Sequence, residues 1–327
     1  MTPRGRRLLA GVSGGLALLA AGSLLWGRYP APPGLTPRAL WHDPLAWQLV
    51  WKLRLPRLLA ALTTGGVLAV AGLTMQMVFR NPLVEPGFLG VSPGAAFGAA
   101  LAILYLGASP WAVQLSATVF AFVGLGLTYG LARRLRYGGW ILRMVLAGLA
   151  VSALLSAGLG LLKYLADPLT QLPEIVFWLL GGLWGVRWSN LLPVLLLSLP
   201  ALALLWALRW RLNLLTLSEN AAFALGAAPA RERAGVLALA VVATAAVVSL
   251  AGMIGWVGLM APHLARRLVG ADARAALPTA LALGGGFTLL CDDLARGLVG
   301  GEIPLGILTS LLGAAAFLLL LSSAPKT

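Results

Sequence analysis

Charge is scarce in this chain. Asp, Glu, Lys and Arg make up 10% of its 327 residues, whereas a soluble domain carries about 25%. That density cannot cover a surface in water, so a soluble globular fold is excluded. Acidic residues are the scarcest, 10 against 24 Lys and Arg, which leaves a formal net charge of +14. In a soluble protein such an excess would suggest nucleic acid, but no polar face carries the interleaved aromatics that stack bases. Nucleic acid is therefore excluded as a partner. The single Cys291 rules out a disulfide framework within the chain and reads as a small apolar packing residue. The two histidines, His42 and His263, have neither metal-ligand spacing nor a paired nucleophile, so no metal site and no catalytic group is expected. Asp292 and Asp293 are adjacent and diverge by about 100° on a helix, which prevents a shared proton and leaves helix packing or a pairing with Arg296. A phosphate-binding GxxxxGKS or GxxxxGKT loop is absent, so the chain supplies no ATP hydrolysis of its own. Energy must come from a partner or an ion gradient.

What the chain has in abundance is apolar length. Hydrophobic residues make up 60% of it and the mean hydropathy is +0.91. Its apolar segments are continuous rather than alternating, and 40 glycines favour close helix contact, so an all-α membrane protein is expected rather than a barrel. A bilayer-crossing helix needs about 20 apolar residues. Such runs fall near 8–27, 58–79, 88–107, 111–132, 142–165, 189–208, 234–253, 254–269, 277–298 and 304–323, a single domain of ten spans. The stretch 174–188 is short and rich in Gly and Trp, and reads as interfacial or half-inserted. Arg4, Arg6 and Arg7 before the first run place the N-terminus in the cytoplasm, and a bulky Leu24-Leu25-Trp26 after Gly22 argues for an uncleaved span. On that topology both termini are cytoplasmic, and 16 of the 24 basic residues lie inside, Lys326 included, with Arg28 and Arg38 among those outside.

The segment Arg80 to Ala95, RNPLVEPGFLGVSPGA, interrupts this pattern with three prolines and three glycines between two apolar runs. Prolines remove backbone donors and push the preceding residue out of helical geometry. Broken backbone at membrane depth is tolerated only against protein or a water-filled path, which points to a conduit. An offset of 180 residues aligns Ala71-Gly72 with Ala251-Gly252, Pro82 with Pro262 and Gly90 with Gly270, suggesting repeats at roughly 58–165 and 234–323. With ten spans those halves would be inverted, a recurrent transporter architecture.

One long cytoplasmic connection runs from 209 to 235. Within it Leu217-Ser218-Glu219-Asn220-Ala221-Ala222-Phe223-Ala224-Leu225-Gly226 predicts a short amphipathic helix, with Ser218 as cap, Glu219 in the first turn and Leu225-Gly226 closing it. Apolar Ala222, Phe223 and Leu225 suit docking in a groove of a soluble partner or lying on the lipid interface. On the outer side Lys52, Arg54, Arg57 and Arg296 either snorkel among lipid headgroups or form a positive rim for an acidic external partner.

Several long motifs, in order, resemble the FecCD-type permease subunits of ABC importers for iron-siderophores, haem and vitamin B12. They are LRLPR at 53–57, AGLTMQMVFRNPLVEPGFLGVSPGA at 71–95, LSENAAFALG at 217–226, GMIGWVGLMAPHLARRLVGADAR at 252–274 and EIPLGILTSLLGAAAF at 302–317. The resemblance implies a ten-span type II permease in the bacterial inner membrane, forming a homodimer with the path between subunits. It also implies two ABC ATPase subunits, which hold the ATP and Mg, and a periplasmic or lipid-anchored binding protein; this chain would hold no cofactor. The family's ATPase-docking helix falls on 217–226, with Asn220 and Ala221 in place of the usual Glu-Val. Its external arginines fall on Arg54, Arg57 and Arg296, and its cytoplasmic constriction on Asn81, Pro82 and Leu83. Ile141 and Leu142 stand where members often carry small hydroxyl residues. Met75, Gln76 and Met77 are the expected lining of the path. An ion-coupled secondary transporter is the alternative; it would need ionisable residues facing the core in mid-span, whereas the charges here cluster near span ends.

Overall fold

The computed structural model describes residues 3–27, 34–36, 42–298 and 301–322. Arg28, Arg38 and Lys326 lie outside the described residues, as do the side chains of Arg4 and Arg6. Among the described residues the regular structure is helical apart from one isolated bridge, Trp26 to Gly34. In chain order the helices are α1 Pro3–Leu25, α2 Pro44–Phe79, α3 Val91–Tyr105, α4 Pro110–Arg134, α5 Trp140–Leu165 and α6 Gln171–Leu180. They continue as α7 Trp188–Ala207, α8 Arg209–Leu215, α9 Glu219–Ala224, α10 Pro229–Ala251, α11 Val257–Val269, α12 Ala273–Gly297 and α13 Leu305–Ser322.

Eight of these, all but α3, α6, α8, α9 and α11, are long and apolar enough to cross a membrane. The expected spans at 88–107 and 254–269 are present as shorter helices, α3 with 15 residues and α11 with 13. Each is short because its N-terminal part is spent on a break. A 3-10 turn, Pro86–Leu89, precedes α3, and residues 252–256 run irregularly before α11. The second span starts earlier than its apolar run, at Pro44, and passes through a π-helical stretch at Val50–Arg54.

α2 is the central post. From Thr64 to Phe79 every side chain is buried, and α10, α11 and α12 pack round it. Two glycine crossings set the closeness of that packing. A Cβ on Gly65 would stand 2.1 Å from the Gly284 carbonyl oxygen of α12, and one on Gly72 would stand 1.9 Å from that of Gly258 in α11. Only glycine permits such an approach, and bare backbones in van der Waals contact replace the hydrophobic drive that lipid does not supply.

The repeat expected at an offset of 180 residues is not the one the helices form. Pro82 lies in a turn while Pro262 lies inside α11, and Ala71-Gly72 is in mid-helix while Ala251-Gly252 ends one. Element by element, α3, α4 and α5 correspond to α11, α12 and α13, with starts 166, 163 and 165 residues apart (Val91 to Val257, Pro110 to Ala273, Trp140 to Leu305). Small-residue matches between two Ala- and Gly-rich helices mimic a register that backbone geometry does not share. The inversion itself is visible. Arg80, at the end of α2, donates to the Leu217 carbonyl, while Arg233, at the start of α10, pairs with Glu219, so α2 ends where α10 begins.

Three backbone breaks meet at the opposite ends of α6, α10 and α13. Gly182 N donates to the Ala251 carbonyl at 2.8 Å and Leu305 N to the Gly181 carbonyl at 2.9 Å. Gly181 and Gly252 take φ of +68° each. Each orphaned donor is thus met by a neighbouring break, as buried irregular backbone requires. The segment expected at 174–188 resolves into α6, which begins at Gln171, and a turn over 181–187 that this junction holds.

Candidate coupling surface and outer charge network

The turn after α2 is shaped by its sequence. Arg80 adopts a left-handed φ of 52°, and Asn81 N donates to the Gln76 carbonyl at 3.1 Å, closing the helix end. A non-glycine residue there costs about 1 kcal/mol, and Pro82, which disfavours helix at Asn81, leaves little alternative. Asn81 Oδ1 then accepts from Leu83 N at 2.9 Å. Asn81, Pro82 and Leu83 are all exposed at this end of the bundle.

The expected path lining is different. Met75 is 0% exposed, and Gln76 and Met77 are buried as well, with Gln76 Nε2 donating to the Gly258 carbonyl at 3.3 Å. These three side chains pack inside the bundle, because α10, α11 and α12 surround this part of α2. Nothing in the apolar run 58–79 marks which helix is central.

Beside the α2 turn sits the connection from 209 to 228. α8 is fixed by Leu212 and Leu215, both fully buried, and by Asn213, whose Nδ2 donates to Asp272 Oδ1 at 2.8 Å and whose Oδ1 accepts from Ala273 N at 2.9 Å. Asp272 also caps α12 and accepts from Arg274. Burial raises its pKa, but the hydrogen bonds from Arg274 and Asn213 outweigh that and bring it down to about 2.

α9 follows the local pattern of its sequence. Ser218 Oγ accepts from Ala221 N at 3.3 Å, Glu219 occupies the first turn, and Gly226 leaves with φ +79°. Ala222 turns inward against Leu214 and Ala227. Phe223 is 74% exposed and Leu225 60%, with Leu217 at the edge. This short helix is tied to both halves of the bundle. Arg80 reaches the Leu217 carbonyl from α2, and Arg233, itself buried against the Trp140 ring, holds Glu219 at 2.6 Å. Neither tie is among the expected site residues; basic residues at span ends are the only signal for them.

At the far end of α2 the arginines are not free. Arg54 Nη1 donates to the carbonyls of Leu24 and Leu25 at 2.8 and 3.0 Å, which anchors α1. Arg57 makes a two-pronged contact with Asp292 and another with Glu302, whose oxygens lie 2.9 Å from Nη1 and Nη2. Arg296 lies 3.3 Å from Asp292 and pairs with Asp293, which accepts from Ser23 Oγ at 2.6 Å. Arg57 and Arg296 thus meet three carboxylates, while Arg54 is spent on backbone carbonyls. The positive rim expected from Arg54, Arg57 and Arg296 is therefore largely spent internally, because tertiary packing sets Arg57 and Arg296 against the carboxylates of α12 and of residue 302, and Arg54 against the end of α1. On the same side Lys52 and Arg187 are exposed, brought near each other where Trp188 Nε1 donates to the Trp51 carbonyl at 2.9 Å.

A multi-pass bundle of antiparallel halves, with broken helices at its interior and an exposed apolar helix tethered to both halves, is the layout of a transport permease. The chain belongs to the FecCD transport family, whose pattern its residues 15–323 match. It is 39% identical over 285 residues to the molybdate import permease MolB of Haemophilus influenzae, covering 85% of this chain and 84% of that one. It is 40% identical over 276 residues to the hemin transport permease HmuU of Yersinia pestis, covering 83% and 81%. Among solved structures it resembles a metal-chelate type ABC transporter in an inward-facing conformation, with a TM-score of 0.90 and 39% identity, over 98% of this chain and 100% of that one. The chain is accordingly the permease subunit of an ABC importer, without a cofactor, and the ATPase is a separate subunit.

Proposed function

We propose that two copies of this chain enclose a path for a metal-bearing solute, an iron-siderophore, haem or cobalamin, across the bacterial inner membrane. Two ABC ATPase subunits dock on Leu217 to Gly226 from the cytoplasm, and a binding protein delivers the solute to the opposite face. Both termini are cytoplasmic in this arrangement. The observation that carries the reading is α9: its outward Phe223 and Leu225 offer an apolar knob, while Arg80 and Arg233 link its base to α2 and α10. A push on α9 is then transmitted to both inverted halves, and rocking of one half against the other gives alternating access. Asn81, Pro82 and Leu83 sit next to Leu217 through Arg80, where a constriction would respond to the same movement. On the outer face, among the described residues, Lys52 and Arg187 are exposed cations available to an acidic lobe of the binding protein.

Cargo is tested on the reconstituted complex. ATP-dependent uptake into proteoliposomes is measured with haem, a ferric siderophore, cobalamin and molybdate, the last because a molybdate permease is among the relatives. Uptake of one of the first three that requires the ATPase subunits is expected. Uptake of molybdate alone would replace the proposed cargo, and uptake driven by an ion gradient without the ATPase would overturn the mechanism.

A further inference from the structure

The cytoplasmic hairpin between α4 and α5 carries cations that no carboxylate offsets. Arg133 and Arg134 end α4, Arg136 lies in the turn and Arg143 opens α5. Among the described residues none of the four has an ion pair, and Glu219, Glu232 and Asp272 at this end are engaged by Arg233, Arg211 and Arg274. Two of the four, Arg133 and Arg143, border a cavity of about 290 Å³ between α4, α5 and α10. Tyr129 and Trp140 flank it, and Ala132, Met144, Ala230 and Ala234 complete its apolar wall. Arg143 Nη1 donates to the Leu135 carbonyl at 3.2 Å, but its Nε is buried without a hydrogen-bond partner. Arg133 lies 5.8 Å from the Tyr129 ring centroid and is exposed.

We infer that this cavity binds the phosphate headgroup of an anionic phospholipid from the adjoining leaflet. Guanidinium groups donate in a fork that fits phosphate oxygens. Aromatic residues at this level match the boundary between headgroups and acyl chains. On α4 Leu127 and Leu131 are exposed beside Arg133, apolar surface that acyl chains would cover. A basic pocket between spanning helices with an apolar face above it has the chemistry of a phospholipid site. The inference rests on the permease reading only for which leaflet supplies the lipid. Nanodiscs present both leaflets, so its test is independent of that orientation and of transport.

The permease is purified from nanodiscs of phosphatidylcholine containing phosphatidylglycerol, and the phosphatidylglycerol retained after detergent exchange is quantified by mass spectrometry. A neighbouring basic residue contributes roughly a factor of five at an anionic surface, so Arg133→Gln/Arg143→Gln is expected to weaken retention by about 30-fold. Arg134→Gln/Arg136→Gln, which removes the same charge outside the cavity wall, is expected to leave it within about twofold. If the first double variant fails to fold, Arg133→Gln alone, at an exposed side chain, carries the test at about fivefold. Equal losses from both pairs would overturn the site in favour of diffuse surface charge. Retention unchanged by the first pair would overturn it outright. Displacement of the lipid by millimolar inorganic phosphate would assign the cavity to free phosphate and overturn the lipid.

Discussion

Arg57 of α2 grips Asp292 of α12 with its Nε 3.1 Å from both carboxylate oxygens and its Nη2 2.9 Å from one of them. The carboxylate is 1% exposed and has Arg296 on its other side. This pair joins the two inverted halves at the end of the bundle opposite α9, and it explains why a segment that reads as a positive rim is electrically quiet there.

Replacing Asp292 removes the carboxylate shared by two largely buried guanidiniums, although Arg57 keeps Glu302 and Arg296 keeps Asp293. Asp292→Asn is expected to destabilise the permease by about 1.5–3 kcal/mol, the range for hydrogen bonds to a charged group. Thermal unfolding in detergent measures it. Substituting both sides, Arg57→Leu with Asp292→Leu, should recover part of the loss, since it removes one of the two guanidiniums and leaves the partly exposed Glu302 to water.

Phe223→Asp should abolish ATPase-coupled uptake while shifting unfolding by no more than about 0.5 kcal/mol, because the side chain stands outside the fold. Ala222→Asp, at a buried position of the same helix, should instead lower stability. Comparing uptake and melting temperature for the two separates docking from folding; normal uptake by Phe223→Asp would remove α9 from the coupling role.

Lys52→Glu with Arg187→Glu should weaken association with the binding protein and reduce its salt sensitivity. Arg57→Glu should act mainly on stability, since its charge is spent internally. Binding isotherms at two ionic strengths, together with melting curves, distinguish the two effects.

Gly72→Ala places a methyl group against the Gly258 backbone, which has no side chain to move aside. A loss of about 1–3 kcal/mol is expected, with lower yield of folded protein. Gly126→Ala, where nothing lies within 4 Å, serves as the matched control and should be neutral or slightly stabilising.

Asp272 carries the pH dependence that can be read from the α9 end. Its folded pKa, about 2, lies below the ordinary carboxylate value near 3.8. A depressed carboxylate contributes stability that is fully present above the unfolded pKa and lost as pH falls through the folded one. The stability difference between the native protein and Asp272→Asn should therefore be constant above about pH 5 and shrink toward pH 2. A difference that grows on acidification would contradict the hydrogen bonds assigned to Arg274 and Asn213.

Helix α9 is legible in the sequence because its signals are local: a hydroxyl cap, an acid in the first turn and a closing glycine act within a few residues of one another. The Arg80–Leu83 turn is legible for the same reason, since Pro82 constrains its own neighbour. The burial of Met75, Gln76 and Met77 is not legible because facing is set by which helices surround α2, and an all-round apolar run is compatible with either lipid or protein. The repeat register fails similarly, since small residues recur for packing wherever helices cross.

By itself the sequence determined that the chain lives in a membrane, where its helices break, and which short segment projects from the loops at one end of the bundle, because length, hydropathy and backbone-restricting residues act along the chain. Only the tertiary structure decided which charges are free. Arg57 and Asp292 are separated by 235 residues, and electrostatic compensation across such a distance depends on the helix packing that brings them together. The same packing enclosed α2 and left Arg133 and Arg143 without carboxylates.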